Sequence, residues 1–154
     1  MIALYLTICT QLLPRRKLKP KDDAAVYEEV AIMKNLSNNP NVVNLLNFYE
    51  CEKTFHVILE LARGGDVFER LAKRRVYKEM DARTLAKNIL TAIDYIHSSG
   101  YAHRDLKPEN LLLKELSDDS NGLMIADFGF AKKNNDDRMT TRCGKCTMHK
   151  CSTT

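Results

Sequence analysis

The chain has 154 residues, of which 44% are hydrophobic and 29% are charged, the composition of one ordinary soluble globular domain. Its 24 Lys and Arg residues exceed its 20 Asp and Glu residues by a net charge of only +4, and without interleaved aromatics this slight excess argues against a nucleic-acid partner. Five cysteines, three of them crowded near the end, exclude a secreted disulfide framework, so we expect a reducing, cytoplasmic location, with the nucleus as the alternative.

Residues 1–13 (MIALYLTICTQLL) are apolar and rich in β-branched side chains, which predicts a buried strand. The segment lacks a positively charged start and a small-residue cleavage pattern, and it is too short to span a bilayer, so no membrane partner is expected. A signal anchor held by the basic run at residues 15–21 is the alternative.

Residues 22–37 are predicted to form an amphipathic helix, with Asp22 and Asp23 at its positive N-terminal end and Asn-Asn-Pro after it. Its apolar residues recur at helical spacing: Val26, Val30, Met33 and Leu36. Residues 42–49 and 54–61 then read as two strands of a hairpin, joined by the polar turn at 50–53.

Gly64 and Gly65 predict a turn after the hairpin, and Asp66 can cap a short helix that follows. A longer helix is expected over residues 80–98, where Ser-Ser-Gly ends it. Its apolar stripe consists of Ala82, Leu85, Ile89, Ile93 and Ile96.

The next stretch, residues 103–110, reads H-R-D-L-K-P-E-N, and Asp127-Phe128-Gly129 follows a hairpin predicted at residues 111–113 and 123–126. Such a hairpin aims Asn110 and Asp127 at the same point. These two motifs resemble the catalytic loop and the metal-binding motif of a protein kinase. Phosphoryl transfer depends mostly on positioning and charge neutralisation, which a carboxylate and metal-holding groups supply.

The loop, the segment D-F-G-F-A-K and the stretch R-G-G-D-V-F-E-R-L are most similar to eukaryotic Ser/Thr kinases of the calcium/calmodulin-dependent group. The resemblance implies an α+β, protein-kinase-like fold. It would comprise a partial N-lobe with a hairpin and a regulatory helix, and the beginning of a mainly helical C-lobe. We expect a divergent segment at 1–13, the kinase domain at 14–144 and a divergent tail at 145–154. The domain would divide into an N-lobe remnant at 14–61, a hinge at 60–66 and the start of the C-lobe at 67–144, truncated at both ends.

The same resemblance assigns roles to single residues. Asp105 would accept the substrate proton, Lys107 would steady the transferring phosphate, and Asn110 and Asp127 would hold Mg²⁺. Residues implied to contact ATP are the gatekeeper Leu59, the backbone of Glu60 and Ala62, Asp66 at the ribose, and Leu112 below the adenine. Residues implied in regulation and substrate choice are Glu29 on the regulatory helix, Arg104 gripping a phosphorylated Thr141, and Glu109 reading a basic residue before the target.

Two expected nucleotide contacts are missing from the sequence. Gln11 stands where the family has a strand lysine that would pair with Glu29, and no glycine precedes Gly64, so there is no phosphate-covering loop. The predicted function is an ATP- and Mg²⁺-dependent Ser/Thr protein kinase acting on protein substrates with basic residues near the target. The alternative is an inactive pseudokinase or interaction fragment.

Two surface features remain open. With the distal C-lobe missing, Leu85, Ile89 and Ile93 are expected to expose an apolar stripe that a partner covers. The tail spells C-x-x-C-x-x-H-x-C over residues 143–151, which could hold a metal, although a disordered end is the preferred interpretation.

Overall fold

The structure, a computed structural model, describes residues 8–15, 20–37, 39–73, 78–115 and 122–134. Its helices are α1 (Pro20–Leu36), α2 (Val67–Lys73) and α3 (Glu79–Ser98), with a 3₁₀ turn at Pro108–Asn110. Its strands are β1 (Ile8–Pro14), β2 (Leu45–Glu50), β3 (Thr54–Glu60), β4 (Gly65–Asp66), β5 (Tyr101–Ala102), β6 (Leu111–Leu113), β7 (Leu123–Ile125) and β8 (Lys132–Lys133).

The first three strands form an antiparallel sheet in the order β1-β3-β2, with α1 packed on one face. Alternate residues of β3, Phe55 and Val57, point to this face and are buried against Val26 and Val30 of α1. Gln11 of β1 lies directly opposite Val57 in the register. Because directly opposed residues share a face of the sheet, the side chain of Gln11 emerges on the side that α1 covers.

A second apolar cluster joins α1 to the rest of the chain. Leu36 of α1, Ile96 of α3 and Leu123 of β7 are almost completely buried in it. The loop after α1 is tied to β7, since Val43 N–H donates to the Ile125 carbonyl at 2.9 Å and Ile125 N–H donates to the Asn41 carbonyl at 2.9 Å. The small sheet β4-β6-β7 and the pair β5-β8 complete the framework of the described residues.

The predicted elements are present, and after the first strand their ends lie within one or two residues of those expected, except that β2 begins at Leu45, three residues after its expected start. The helix expected at 22–37 begins at Pro20, where the missing N–H of proline costs no hydrogen bond in the first turn. The first strand is observed from Ile8 onward, and residues 1–7 lie outside the described part of the chain. The expectation that this strand is buried was wrong for residues 9–12, which are exposed because no element covers that part of the edge strand in the described ranges. The α+β architecture is confirmed. None of the helices in the described ranges combines the length and hydropathy required to cross a bilayer.

The expectation of an exposed apolar stripe on α3 was wrong for the residues named. Leu85 is 8% exposed, and Ile89 and Ile93 are partly buried against the main core. Neighbouring elements of the chain itself supply the cover, since α3 packs against β5 and β7. The exposed large hydrophobic side chains of this helix are instead Met80 and Leu90, each 65% exposed.

Candidate active site

The loop at residues 103–110 is fastened to the chain by a buried histidine. His103 is 2% exposed, and its Nε2 lies 3.0 Å from the Ala126 carbonyl oxygen. A carbonyl oxygen only accepts, so Nε2 carries the proton, and Nδ1 accepts from Asp105 N–H at 3.3 Å. Burial lowers the pKa of His103, which favours this neutral form. The ring also packs edgewise on Phe128, with centroids 4.9 Å apart.

Asp105 lies at the centre of a polar network. Lys107 Nζ is 2.6 Å from Asp105 Oδ2, and Asn110 Nδ2 donates to the Asp105 carbonyl at 2.9 Å and to Oδ2 at 3.3 Å. The hydrogen bond from Lys107 is the main reason that the pKa of Asp105 is lowered, while the same contact raises the pKa of Lys107. At neutral pH the pair is therefore a carboxylate and an ammonium group.

The hairpin of β6 and β7 brings Asn110 and Asp127 to the same end. Leu111 pairs with Ile125, and Ala126 N–H donates to the Asn110 carbonyl at 2.9 Å. The side-chain amide nitrogen of Asn110 is turned toward Asp105, which leaves its oxygen as the donor for a cation. A carboxamide oxygen and a carboxylate are hard ligands of the kind Mg²⁺ takes together with water and phosphate oxygens, so these residues fit that ion.

Two residues of the site hold left-handed backbone conformations without being glycine. Arg104 has φ 66° and Asp127 has φ 64°. Arg104 Nε donates to the Phe130 carbonyl at 2.8 Å, and Asp127 Oδ1 accepts from Gly129 N–H at 3.3 Å. Each strained residue is thus held by a contact of its own side chain with the segment after β7.

Helix α1 brings Glu29 to this segment. A Cβ placed on Gly129 would lie 3.3 Å from Asp127 Oδ1 and 3.7 Å from Glu29 Oε2, so the glycine leaves room for both carboxylates. Burial raises the pKa of Glu29, and the charge of Asp127 adds to the effect. Within the described ranges Glu29 forms no salt bridge. The residue at the expected lysine position, Gln11, is exposed.

The expected hinge is tied to the strand after the catalytic loop. Glu60 Oε1 lies 2.5 Å from Lys114 Nζ, and Gly64 N–H donates to the Leu113 carbonyl at 2.8 Å. A side chain at Gly64 would overlap the carbonyl oxygen of Glu115, so glycine is required there. Glu60 N–H is engaged by the Asn44 carbonyl at 2.9 Å, so this group is not available to a ligand.

The remaining predicted residues are placed as follows. Asp66 caps α2, its Oδ1 accepting from Phe68 N–H at 2.7 Å and from Glu69 N–H at 2.9 Å. Leu112 lies opposite Asp66 in the register of β6 and β4. Leu59 and Ala62 are half-buried, and Glu109 is exposed. Thr141 and the cysteine-rich tail lie outside the described residues.

Sequence reasoning assigned no role to His103, Lys114 and Arg15, although each makes a specific long-range contact in the structure. His103 was the first residue of the motif, but its burial could not be inferred from spacing. Lys114 and Arg15 make ion pairs with residues 54 and 8 positions away, at separations where the chain pattern gives no signal.

Comparison with known proteins identifies the family. The model of the protein kinase domain matches residues 7–148. The calcium/calmodulin-dependent protein kinase type 1 of Macrobrachium nipponense is 38% identical over 137 residues, which cover 89% of this chain and 39% of that protein. The type 1B kinase of Homo sapiens is 37% identical over 137 residues, again 89% of this chain and 39% of that protein. The type I kinase of Schizosaccharomyces pombe is 38% identical over 133 residues, or 84% and 39%.

The chain thus spans about two-fifths of the length of the curated relatives it matches. The predicted resemblance to the calcium/calmodulin-dependent group is confirmed by these relatives, and so is the partial kinase-like α+β fold. Members of the family generally use ATP and Mg²⁺. With a family model that covers nearly all of its residues, and with the two motifs joined as described, the chain belongs to the protein kinase domain family.

Proposed function

We propose that this chain is part of an ATP-dependent Ser/Thr protein kinase and carries its catalytic loop and metal-binding motif. The single observation that carries the proposal is the network at Asp105. Its carboxylate is held by Lys107 Nζ at 2.6 Å and by Asn110 Nδ2 at 3.3 Å, beside the hairpin end that bears Asp127.

Asp105 is proposed to orient the attacking hydroxyl. Because its pKa is lowered by Lys107, the carboxylate is ionised at neutral pH and can accept a hydrogen bond from a serine or threonine side chain. Its side chain is 19% exposed, so a substrate can reach it. As the bond from the hydroxyl oxygen to the γ-phosphorus of ATP forms, the bond from that phosphorus to the bridging oxygen would break and ADP would leave, while the hydroxyl proton would pass to Asp105.

Lys107 is proposed to balance charge on the transferring phosphate. Its pKa is raised by the hydrogen bond to Asp105, so it remains cationic across the physiological range. The Lys107 side chain is 42% exposed, so its ammonium group can contact a phosphate oxygen while keeping its contact with Asp105. A lysine at this position also favours Ser/Thr over Tyr specificity in the family resemblance.

Asn110 and Asp127 are the residues that would hold Mg²⁺. The bound ion would neutralise phosphate charge and fix the orientation of the nucleotide. In the chain itself, the β6–β7 pairing keeps the two side chains at one hairpin end, and the Asn110 amide contact with Asp105 fixes the carboxamide.

ATP and the protein substrate are proposed to meet at this hairpin end from two sides. The hinge residues Leu59, Glu60 and Ala62 would contact the adenine, with Leu112 below it. The free oxygen of Asp66 would face the ribose, since Oδ1 is engaged in capping α2. Glu109 is exposed in the 3₁₀ turn, where an acid favours a substrate with a basic residue near its serine or threonine.

A second candidate function is favoured by one observation. Gln11 replaces the expected strand lysine, and Glu29 has no ion pair among the described residues. Without that cation, the nucleotide phosphates lose a fixed electrostatic contact of the kind whose removal costs roughly 10²–10³-fold in rate. The alternative is therefore a pseudokinase that binds a partner, with little or no phosphoryl transfer.

The test is a phosphorylation assay on the whole chain with Mg²⁺, labelled ATP and a serine peptide containing arginine residues. We expect slow transfer that the Asp105→Asn variant reduces by roughly 10²–10⁴-fold, because the base is lost. Asp94→Asn, the same chemical change at an exposed site on α3, is the matched control and should transfer at the parent rate.

Each result of the assay has a definite meaning. Equal transfer by the parent and Asp105→Asn would refute the assigned catalytic role. Absence of transfer, with Mg²⁺-dependent binding of a fluorescent ADP analogue retained, would refute phosphoryl transfer by this chain and favour the pseudokinase alternative. Absence of both transfer and nucleotide binding would overturn the roles proposed for the catalytic and nucleotide-binding residues of this chain.

A further inference from the structure

Arg15, which follows β1, joins three elements of the first sheet region. Its Nη2 and Nε lie 2.8 and 3.2 Å from Asp23 Oδ2 on α1, and its Nη1 lies 2.8 Å from Glu50 Oε1 at the end of β2. The guanidinium carbon stands 4.8 Å from the ring centroid of Phe55. Its backbone N–H donates to the Lys53 carbonyl at 2.9 Å. The hydrogen bonds use the N–H groups along the edges of the guanidinium group, and the aromatic contact uses its planar face.

The contact with Asp23 fixes the start of α1. Asp23 lies in the first turns of the helix, where a carboxylate is stabilised by the helix dipole, and its side chain is 25% exposed. Val26, one turn further on, is the first residue of α1 that is buried among the described side chains. Among the described side chains of α1, the buried apolar residues thus begin only after Asp23.

Tyr27 strengthens the same junction from the helix side. Its hydroxyl donates to Glu50 Oε2 at 2.7 Å, so Arg15 and Tyr27 hold the two oxygens of one carboxylate. Its ring packs edgewise on Phe55 at 5.5 Å and on Phe48 at 6.1 Å. Strand β1, helix α1 and the β2–β3 hairpin therefore meet at one polar and aromatic cluster around Arg15.

This cluster determines where Glu29 lies. Glu29 is six residues after Asp23 on the same continuous helix, a distance of about 9 Å along the axis. A helix of this length moves as one body, so a rotation of its first turn displaces Glu29 from Asp127 and Gly129. No salt bridge to Glu29 itself, among the described residues, opposes such a movement.

We propose that Arg15 is a positioning residue that docks helix α1 through Asp23, and so holds Glu29 against the Asp127-Phe128-Gly129 segment without a strand lysine. The inference goes beyond the proposed function, because it concerns how the helix is held and applies equally to an active kinase or a pseudokinase.

The test is hydrogen exchange of the whole chain, comparing α1 with α3 in the same molecule and without nucleotide. In Arg15→Met, which keeps the aliphatic stem, amides of α1 are expected to exchange about tenfold faster, while those of α3 are unchanged. Asp23→Asn should reproduce this loss. Arg15→Lys should restore part of the protection, because it keeps one ion pair but loses the fork.

The matched control is Arg83→Met, which breaks the exposed pair of Arg83 with Glu79 on α3, with side chains 72% and 87% exposed. It should leave both helices as protected as in the parent, because exposed pairs contribute little. Unchanged α1 protection in Arg15→Met would overturn the proposal, as would an equal loss in α1 and α3 or equal exchange in Arg15→Lys and Arg15→Met. Because no nucleotide or activity enters the measurement, its outcome is independent of whether the chain transfers phosphate.

Discussion

Two carboxylates of this kinase domain experience opposite surroundings. Asp105 receives hydrogen bonds from Lys107 and Asn110, and its pKa is lowered. Glu29 is half-buried near a second acid, Asp127, and its pKa is raised. The carboxylate of Asp105 therefore finds its partners within the eight residues of the catalytic loop, whereas Glu29 meets the Asp127–Gly129 segment without a salt bridge among the described residues.

The difference follows from where each partner comes from. Lys107 and Asn110 are two and five residues from Asp105, so one short loop supplies the whole network. The lysine expected as the partner of Glu29 would lie on strand β1, far from Glu29 in sequence. Its position is occupied by a single residue, Gln11. The residues proposed to position a hydroxyl are thus independent of the strand residue expected to pair with Glu29.

Among the tests of this comparison, the largest effect is expected from a substitution of Asp127, which lies near both Asn110 and Glu29. In Asp127→Asn the carboxylate ligand is lost, and Mg²⁺-dependent affinity for ADP should fall about 10–100-fold. Folding should be retained, because the side chain is exposed. Calorimetric titration of Mg²⁺ADP measures the change, with Asp94→Asn as the matched control. Identical affinities for the parent and Asp127→Asn would show that this residue holds no metal.

A lysine introduced at position 11 would supply the cation that Glu29 lacks among the described residues. Gln11→Lys places an ammonium group on the side of the sheet that α1 covers and should raise ADP affinity about tenfold, a typical effect of one charge-assisted contact. Thr10→Lys is the control, since adjacent residues of a strand point to opposite faces and both positions are exposed. Equal gains in the two variants, measured by fluorescence titration, would indicate a general charge effect rather than a specific site.

A smaller effect is expected from removing the charge of Glu29. Since the pKa of Glu29 is raised by folding above its ordinary value of 4.5, the folded state holds the proton more tightly. The tighter binding of this proton stabilises the folded state fully below pH 4.5, and the stabilisation is lost as the pH rises through the folded-state pKa. Glu29→Gln should therefore be more stable than the parent at pH 7, by up to about 1 kcal/mol, and the advantage should shrink toward pH 4.

Urea unfolding between pH 4 and pH 8 measures that advantage. Glu28→Gln, which makes the same chemical change at the exposed neighbouring position on α1, serves as the matched control. A stability gain for Glu29→Gln that does not depend on pH would show that ionisation of this residue is not what costs stability.

Much of the fold followed from chain patterns, and the reasons differ by element. The helices and the longer strands have several turns or alternations each, so their apolar periodicity predicted them closely. Strands β4, β5 and β8 have two residues each, too few to carry a pattern. The burial of Leu85 was misjudged because its cover was expected from other elements of the family, whereas Leu85 belongs to the main buried cluster of this chain.

The candidate site divides in the same way. The motif predicted which residues would gather in the loop, and Lys107 and Asn110 are found on Asp105. The ion pairs of Arg15 with Glu50 and of Lys114 with Glu60 join residues 35 and 54 positions apart. Such contacts depend on how the sheet registers are set, and no local spacing encodes them.

The left-handed conformations at Arg104 and Asp127 have a consequence for directed evolution of this domain. Each costs on the order of 1 kcal/mol that glycine would not incur. A library selected for heat resistance alone should accumulate glycine at both positions and lose the guanidinium and the carboxylate together. A library selected also for nucleotide binding should retain Asp127, and its stabilising substitutions should occur at other positions. Comparison of the two enrichment profiles would then separate the residues required for folding from those required for chemistry.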